Sequence, residues 1–371
     1  MAGTELLRRA YAGRTVVITG HTGFKGAWLS EWLLLLGARV VGIAQPPRER
    51  ALFTALGLEQ RLQHHIIDIR DADALKACIL DAEPDYVFHL AAQSLVRPAF
   101  ADPLGTLSTN IMGTANVLDA LRALDQRHAG THHACAAVLA TSDKCYARHG
   151  ANQPFREEHP LGGQEPYSAS KAAAEIVIDA YRTSFLTPGG SGNVGVASVR
   201  AGNVIGGGDW APERILPDCV RSLERGAAIS VRNPDATRPW QHVLEPLSGY
   251  LTLAARQRQA LEDGDVEASR ALASAFNFGP EAEASQPVRA IVAELLHHWP
   301  GDWVHASETD APREAENLAI DWSKAKQALG WAPRWGFSEA VARTAQWYRR
   351  QVCEGADALE LTRGDINAYA S

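Results

Sequence analysis

No stretch of this sequence is long and apolar enough to span a membrane. The longest, around Trp32–Ala44, is interrupted by Gly37 and Arg39 and falls short of the roughly 20 residues a span needs. Arg8 and Arg9 near the start are not followed by an apolar run, so no secretory signal peptide is expected. Cysteine is scarce: Cys78, Cys135, Cys145, Cys219 and Cys353 are five in number, scattered, and without a CxxC pair for zinc or redox chemistry. Reduced thiols and a cytoplasmic location are the expectation. A basic excess is missing too, because 36 Lys and Arg stand against 43 Asp and Glu, a net charge of −7. That balance argues against a nucleic-acid partner and means that an anionic substrate must be met by local Arg or Lys. Internal repeats and low-complexity tracts are also absent.

What is present is a long alternation of β-branched runs with helical patterns. TVVITG (Thr15–Gly20), ARVVGIA (Ala38–Ala44), HHIIDI (His64–Ile69), YVFHLA (Tyr86–Ala91), AAVLAT (Ala136–Thr141) and VGVASVR (Val194–Arg200) read as buried strands, and Gly26–Leu36 reads as the first helix. Such alternation predicts an α/β fold, a doubly wound parallel sheet covered on both faces. After about Gly206 the pattern breaks into shorter elements punctuated by Pro212, Pro217, Pro234 and Pro239, and six of the ten tryptophans lie beyond residue 290. A dinucleotide-binding domain over 1–208 and a smaller substrate-binding α/β region over 209–371 are expected, with the chain returning to the first around 240–280.

Gly20-His-Thr22-Gly23-Phe24-Lys25-Gly26 lies between the first strand and its helix. The first glycine permits a tight turn, the second lets backbone amides approach a pyrophosphate, and the third lets the helix pack close to the sheet. A Rossmann-type domain follows from that placement. The GxxGxxG spacing resembles the extended short-chain dehydrogenase family. The resemblance implies NAD held by Gly20, Thr22, Gly23, Phe24, Lys25 and Gly26, by the Asp68-Ile69 pair at the adenine, and by Leu90, Ala91, Ala92 and Gln93. The acid that usually holds the ribose about 20 positions later is replaced by Ala44-Gln45-Pro46-Pro47-Arg48. Gln45 can still hydrogen-bond a hydroxyl, and Arg48 is either a receptor for a 2′-phosphate or a solvated loop charge, so NAD and NADP both stay open. Asp68 has a second reading as a helix cap.

Tyr167 and Lys171, in Tyr-Ser-Ala-Ser-Lys after Pro166, share one helix face at i,i+4 spacing. A neighbouring cation favours a phenolate, which makes the pair a candidate base for an alcohol proton. Following a nucleotide loop by about 140 residues, the pair again resembles short-chain dehydrogenases. The fifth predicted strand ends Thr141-Ser142-Asp143-Lys144, a run similar to the Thr-Asp-Glu of nucleotide-sugar 4,6-dehydratases. That resemblance aligns Ser142 with the hydroxyl at the substrate oxygen, Asp143 with the acid that protonates the departing 6-hydroxyl, and Lys144 with the base at C5. Lys in place of Glu, together with TGHTGFKGAWLS, LAAQSLVR, ATRPWQHV and LGWAPRW, resembles the CDP-glucose 4,6-dehydratase branch over about Thr15–Arg349. Arg313 stands where that branch has a His, a departure assigned to packing or to the nucleobase end. An ammonium is no base, so Lys144 either has a depressed pKa or acts through its charge.

Arg200-Ala-Gly-Asn203-Val-Ile-Gly206 is similar to the family stretch whose Asn meets the sugar-nucleotide diphosphate. Arg214 and Arg238 are candidates for the diphosphate, or ordinary surface arginines. Trp210 and Trp240 are candidates to stack a base or to pack in the core. His64, His65 and His89 lack metal-ligand spacing and read as structural, and no metal is expected. The resemblance implies a homodimer acting on CDP-glucose or a related nucleotide sugar. An epimerase, a dehydratase for another nucleotide hexose, and a non-catalytic dinucleotide sensor are the alternatives; the joint presence of Ser142, Tyr167 and Lys171 counts against the last.

Overall fold

The computed structural model describes residues 2–147, 153–186, 192–306 and 319–371; Arg313 lies outside them. Seven parallel strands form the central sheet: β1 (Thr15–Thr19), β2 (Arg39–Ala44), β3 (Gln63–Ile66), β4 (Tyr86–His89), β5 (Cys135–Ala140), β6 (Val194–Ala201) and β7 (Ala275–Phe278). Their order is β7-β6-β5-β4-β1-β2-β3, reversing direction of growth at β1/β4. The predicted doubly wound Rossmann-type sheet is the fold observed. Parallel strands buried on both faces need apolar residues at every position, and alternate residues do enter opposite layers. Val16, Ile18, Tyr86 and Phe88 pack with Trp28, Leu29 and Tyr250, while Val17, Val41, Ile43 and Val87 pack with Leu75, Ile79, Val117 and Leu121.

β7 was not among the strands read from the sequence. Ala-Phe-Asn-Phe is too short to declare a period, yet it pairs residue by residue with Ser198–Ala201 of β6. The helix Leu244–Glu262, with Leu244, Leu247, Tyr250, Leu251 and Leu253 buried, carries the chain back to that edge. Among the described residues, three two-stranded pairings sit outside the sheet, joining 204–205 to 241–242, 237–239 to 285–287, and 229–231 to 303–305. All five cysteines are free thiols, and no described helix is long and apolar enough to cross a membrane.

The C-terminal helix Ala358–Ala370 is tied to the helix Phe24–Leu35 that leaves the glycine loop. The fully buried Glu31 carboxylate accepts from Arg61 at 2.6 and 3.0 Å and from Arg363 at 2.7 Å. Trp32 meets Tyr369 edge-on beside it, with ring centroids 5.8 Å apart.

On the same helix, burial raises the Asp365 pKa from 3.8 to about 7, although Arg343 lies 3.5 Å away and opposes the shift. The folded protein therefore binds this proton more tightly than the unfolded chain. The stabilisation is complete below the unfolded pKa and is lost as pH rises through about 7. Thermal melts at about pH 5 and about pH 8 check this: Asp365→Asn should narrow the gap between the two midpoints. An unchanged gap would show that Asp365 is not protonated in the folded state.

Candidate active site

The site is built where β1, β4, β5 and β6 end. Gly20 adopts φ +81, and a Cβ there would lie 2.6 Å from the Ala91 amide nitrogen after β4. A Cβ on Gly26 would lie 2.2 Å from the Gly20 carbonyl oxygen. These two positions require glycine for space, and the first also for its backbone conformation. Gly23 begins the helix without any side-chain cap, so the first helical amides are left for an anion. Thr22 holds the loop to the end of β2 through its hydroxyl, which donates to the Gln45 carbonyl at 3.1 Å.

The end of β2 gains a carboxylate from β3. Gln45 Nε2 donates to Asp68 at 2.7 Å, and Arg70 holds the same carboxylate through its Nε and Nη2. These bonds, the one from Arg70 foremost, hold the Asp68 pKa down at about 2. The helix cap is Asp71, whose side chain accepts from the Ala74 amide, so the capping reading of Asp68 does not apply. Ile69 is buried against Gly113, and Asn116 fixes its carbonyl with a 2.9 Å bond. The segment after β4 is pinned in turn: Leu90 N donates to Thr19 O, Ala91 N to the Thr19 hydroxyl, and the Gln93 side chain spans Leu95 and Thr106. His89 bridges Thr19 and Thr114 and is kept neutral by burial, its pKa lowered to about 3, as a structural histidine should be.

The helix Pro166–Ser184 starts with proline at its first position. Glu165 completes a capping box by accepting from the Tyr167 and Ser168 amides at 2.7 and 2.8 Å. Tyr167 and Lys171 are both buried. Lys171 Nζ donates to the Ala140 carbonyl at 3.3 Å, and burial, only partly opposed by Glu175, lowers its pKa to about 8. Burial raises Tyr167 to about 12 despite a hydrogen bond with Ser142 that favours the phenolate. The shift is opposite to the lowering expected from Lys171: desolvation of the phenolate dominates, and the cation that opposes it is Arg214.

Ser142 and Asp143 are buried together, the Ser142 hydroxyl donating to Asp143 Oδ1 at 2.9 Å. Burial pushes the Asp143 carboxyl up, against the pull of Lys144, Ser142 and Lys25. Lys144 is half-buried with its Nζ 6.0 Å from the Tyr167 ring centroid. Lys25 reaches in from the glycine loop to 5.9 Å from the Tyr250 ring, and burial with Arg214 nearby depresses its ammonium to about 8.

The predicted catalytic residues Ser142, Asp143, Lys144, Tyr167 and Lys171 are therefore neighbours, and Lys25 and Arg214 join them. Arg214 also donates to Asp209 at 2.9 Å. Asn203 follows Gly202, where a Cβ would lie 2.9 Å from Asp143 Oδ2 and 3.5 Å from Pro239; Arg238 precedes that proline and donates to its neighbour's carbonyl, Thr237 O. The two candidate base-stacking tryptophans are already engaged. Trp210 carries the Arg50 guanidinium 3.5 Å from its ring centroid, and the buried Trp240 donates to Gln286 O.

Sequence reasoning missed Tyr250, Glu175 and Asn110. Asn110, in a π-helical turn at Ser108–Met112, bonds both Gln93 backbone groups and the Ser170 hydroxyl. Glu175 could have been noticed as the residue one turn after Lys171. Tyr250 and Asn110 had no such signal.

A glycine loop at a helix start, a serine just after β5 and a Tyr-Lys pair on the following helix define an enzyme of the short-chain dehydrogenase type. The profile of the GDP-mannose 4,6 dehydratase family matches residues 17–344, and the chain belongs to this family of nucleotide-sugar 4,6-dehydratases. It is 43% identical to the CDP-glucose 4,6-dehydratase of Salmonella typhimurium over 366 residues, 97% of each chain. It is 28% identical to a dTDP-glucose 4,6-dehydratase of Xanthomonas campestris, covering 90% of this chain and 93% of that one. Among solved structures, the dTDP-glucose 4,6-dehydratase of Streptomyces venezuelae with NAD bound superposes with a TM-score of 0.74 at 23% identity, covering 91% and 97%. An epimerase of Methanothermobacter thermautotrophicus gives 0.75 at 22%, covering 98% of both chains.

The glycine contacts make a graded prediction. Gly26→Ala, forced against backbone, should lower stability by about 1–3 kcal/mol and the melting midpoint by several degrees. Gly23→Ala, whose Cβ would meet Gly20 O at 3.3 Å, should cost less. A Gly26→Ala protein that melts like the parent would refute the close approach.

Proposed function

We propose that this chain is an NAD-dependent CDP-glucose 4,6-dehydratase, converting CDP-glucose to CDP-4-keto-6-deoxyglucose. The observation that carries the reading is Asp143: an acid buried beside Tyr167 and pushed toward its protonated form is what water loss needs and what simple oxidation or epimerisation does not. The 43% identity to a CDP-glucose enzyme supports cytidine as the base.

The residues fit NAD. The loop would hold the pyrophosphate through Gly20, Thr22, Gly23, Phe24, Lys25 and Gly26, and Asp68 with Ile69 would receive the adenosine end. Leu90, Ala91, Ala92 and Gln93 would line the way to Tyr167 and Lys171. Asp68, ionised and bonded to Gln45 beside the end of β2, offers an acceptor for a ribose hydroxyl, which supports NAD over NADP. Bound there, NAD would supply a reversible hydride acceptor, so that the net chemistry is a dehydration with no redox change.

The protein's own groups move the protons. Ser142 hydrogen-bonds the 4-oxygen and Tyr167 removes its proton, with the Lys171 charge opposing the penalty of a buried phenolate. Once C4 is a ketone, the C5 proton is acidic, and Asp143 protonates the departing 6-hydroxyl. Lys144 either takes the C5 proton or stabilises the enolate by its charge while another group takes that proton. Asn203, Arg214 and Arg238 hold the diphosphate, Arg214 turning from Asp209 to do so. In this reading 1–208 binds the dinucleotide and 209–371 supplies most of the sugar-nucleotide contacts. We place the enzyme in the cytoplasm as a homodimer, paired through the helices that expose Leu104, Met112 and Ile176. Sedimentation should give twice the chain mass, and a charged residue at Leu104 should shift it to one.

Two measurements test the chemistry. With NAD and a panel of CDP-, dTDP-, UDP- and GDP-hexoses, a 4-keto-6-deoxy product should form from CDP-glucose without a net rise at 340 nm. A stoichiometric rise would make this a simple dehydrogenase. Asp143→Asn should still oxidise C4 and hold the reduced cofactor on the enzyme in a single turnover, while water loss slows by roughly 10²–10⁴-fold. Ordinary turnover in that variant would remove Asp143 from the mechanism.

A further inference from the structure

A buried ion pair lies under the reacting groups and takes no part in the steps above. Glu175 follows Lys171 by one helical turn and Tyr167 by two, so the three share a face. Its carboxylate accepts four bonds, from Arg200 Nε at 3.0 Å and Nη2 at 2.9 Å, from the Thr141 hydroxyl at 2.5 Å and from the Ser198 hydroxyl at 2.8 Å. Arg200 Nη1 donates to the Tyr146 hydroxyl and the Glu157 carbonyl. Thr141 is the junction of the arrangement. It stands between Ala140, whose carbonyl receives Lys171 Nζ, and Ser142, whose hydroxyl bonds Asp143.

Stability is a weak reason for such a pair, since apolar residues of similar volume often serve as well or better. A buried carboxylate does have a use where another buried cation needs a counter-charge, and Lys171 is that cation. The groups facing it are Tyr167 and Glu175 on its own helix, Cys145 on the turn after β5, His89 of β4, Lys25 of the glycine loop, and Arg200 of β6 behind the carboxylate. Burial holds His89 and Cys145 neutral, Arg200 is cationic, and Lys25, itself lowered to about 8, loses its charge over the same range as Lys171. Burial also pushes Glu175 up, but Arg200, Thr141 and Ser198 outweigh it and hold the carboxyl below its ordinary value. It is the ionised acid of the set.

We propose that Glu175, paired with Arg200 and tied to Thr141, is a positioning residue that keeps Lys171 an ammonium and fixes the strand end bearing Ser142 against Tyr167. The proposal rests on the catalytic reading of Tyr167 and Lys171 given above. The chain has six lysines, so ¹³Cε-lysine NMR can follow each one, with Lys171→Arg assigning the signal. This titration needs neither substrate nor cofactor. Lys171 should titrate at about 8 in the parent protein. Glu175→Gln should lower that midpoint by about one unit or more, and Glu175→Asp, which keeps the charge, should hold it near the parent's. The double variant Glu175→Gln/Arg200→Gln leaves neither member of the ion pair without its partner, and decides the matter where the single one does not fold; its Lys171 should also titrate about one unit low. A double variant that titrates like the parent would mean that Glu175 serves Arg200 alone and would overturn the proposal. In turnover, the alkaline limb of kcat should move down by the same interval in both Gln variants with KM within about twofold. An unmoved limb would overturn it as well. If the parent turns over no nucleotide sugar, the proposed function fails while the titration still decides the role of Glu175.

Discussion

The carboxyl end of β5 is a place where charge is kept from water. Ser142, Asp143, Tyr167, Lys171, Glu175 and Arg200 are buried within a few residues of one another in sequence or across the sheet. Desolvation penalises every ionised form there, so each group either finds a partner or titrates away from its ordinary value. Glu175 and Arg200 take the first course, and their charges reinforce each other. Asp143, Tyr167 and Lys171 take the second, and it leaves an acid readier to stay protonated, a phenol reluctant to ionise and an amine readier to lose its proton. Such a set is poised for proton transfer once a substrate and a cofactor alter its surroundings.

The fold delivers those side chains with short local devices. The sheet order places β1 beside β4 and β4 beside β5, which puts the glycine loop, Ala91 and Ser142 at one edge. The capping box at Glu165 starts the Tyr167 helix in register with that edge. On the far side, the Glu31 clamp and the Trp32–Tyr369 contact fasten the C-terminal helix to the helix of the glycine loop. The last residues of the chain thereby steady the first binding element.

Much of this was legible in the sequence because it is local. β-branched runs name the strands, three glycines at fixed spacing name the loop, and Tyr167 with Lys171 need only helical geometry to become neighbours. Asp143 needs only its place at a strand end. What the sequence hid depends on distant pairing: β7 is four residues long, Tyr250 arrives from a helix over 80 residues away from Tyr167, and Arg200 reaches Glu175 only once β6 lies beside β5. The direction of the Tyr167 shift was hidden for the same reason. A cation at i+4 is visible in the sequence, whereas the depth of burial that raises the phenol is a property of the assembled core.

The central claim is that one hydride leaves C4 and returns to C6 within a single active site while solvent supplies the hydrogen at C5. CDP-glucose carrying deuterium at C4 tests it most directly, with the product read by NMR. The account predicts deuterium at C6 of the 4-keto-6-deoxy sugar and solvent hydrogen at C5. Deuterium washed into solvent, or retained at C4 of an epimerised hexose, would contradict it.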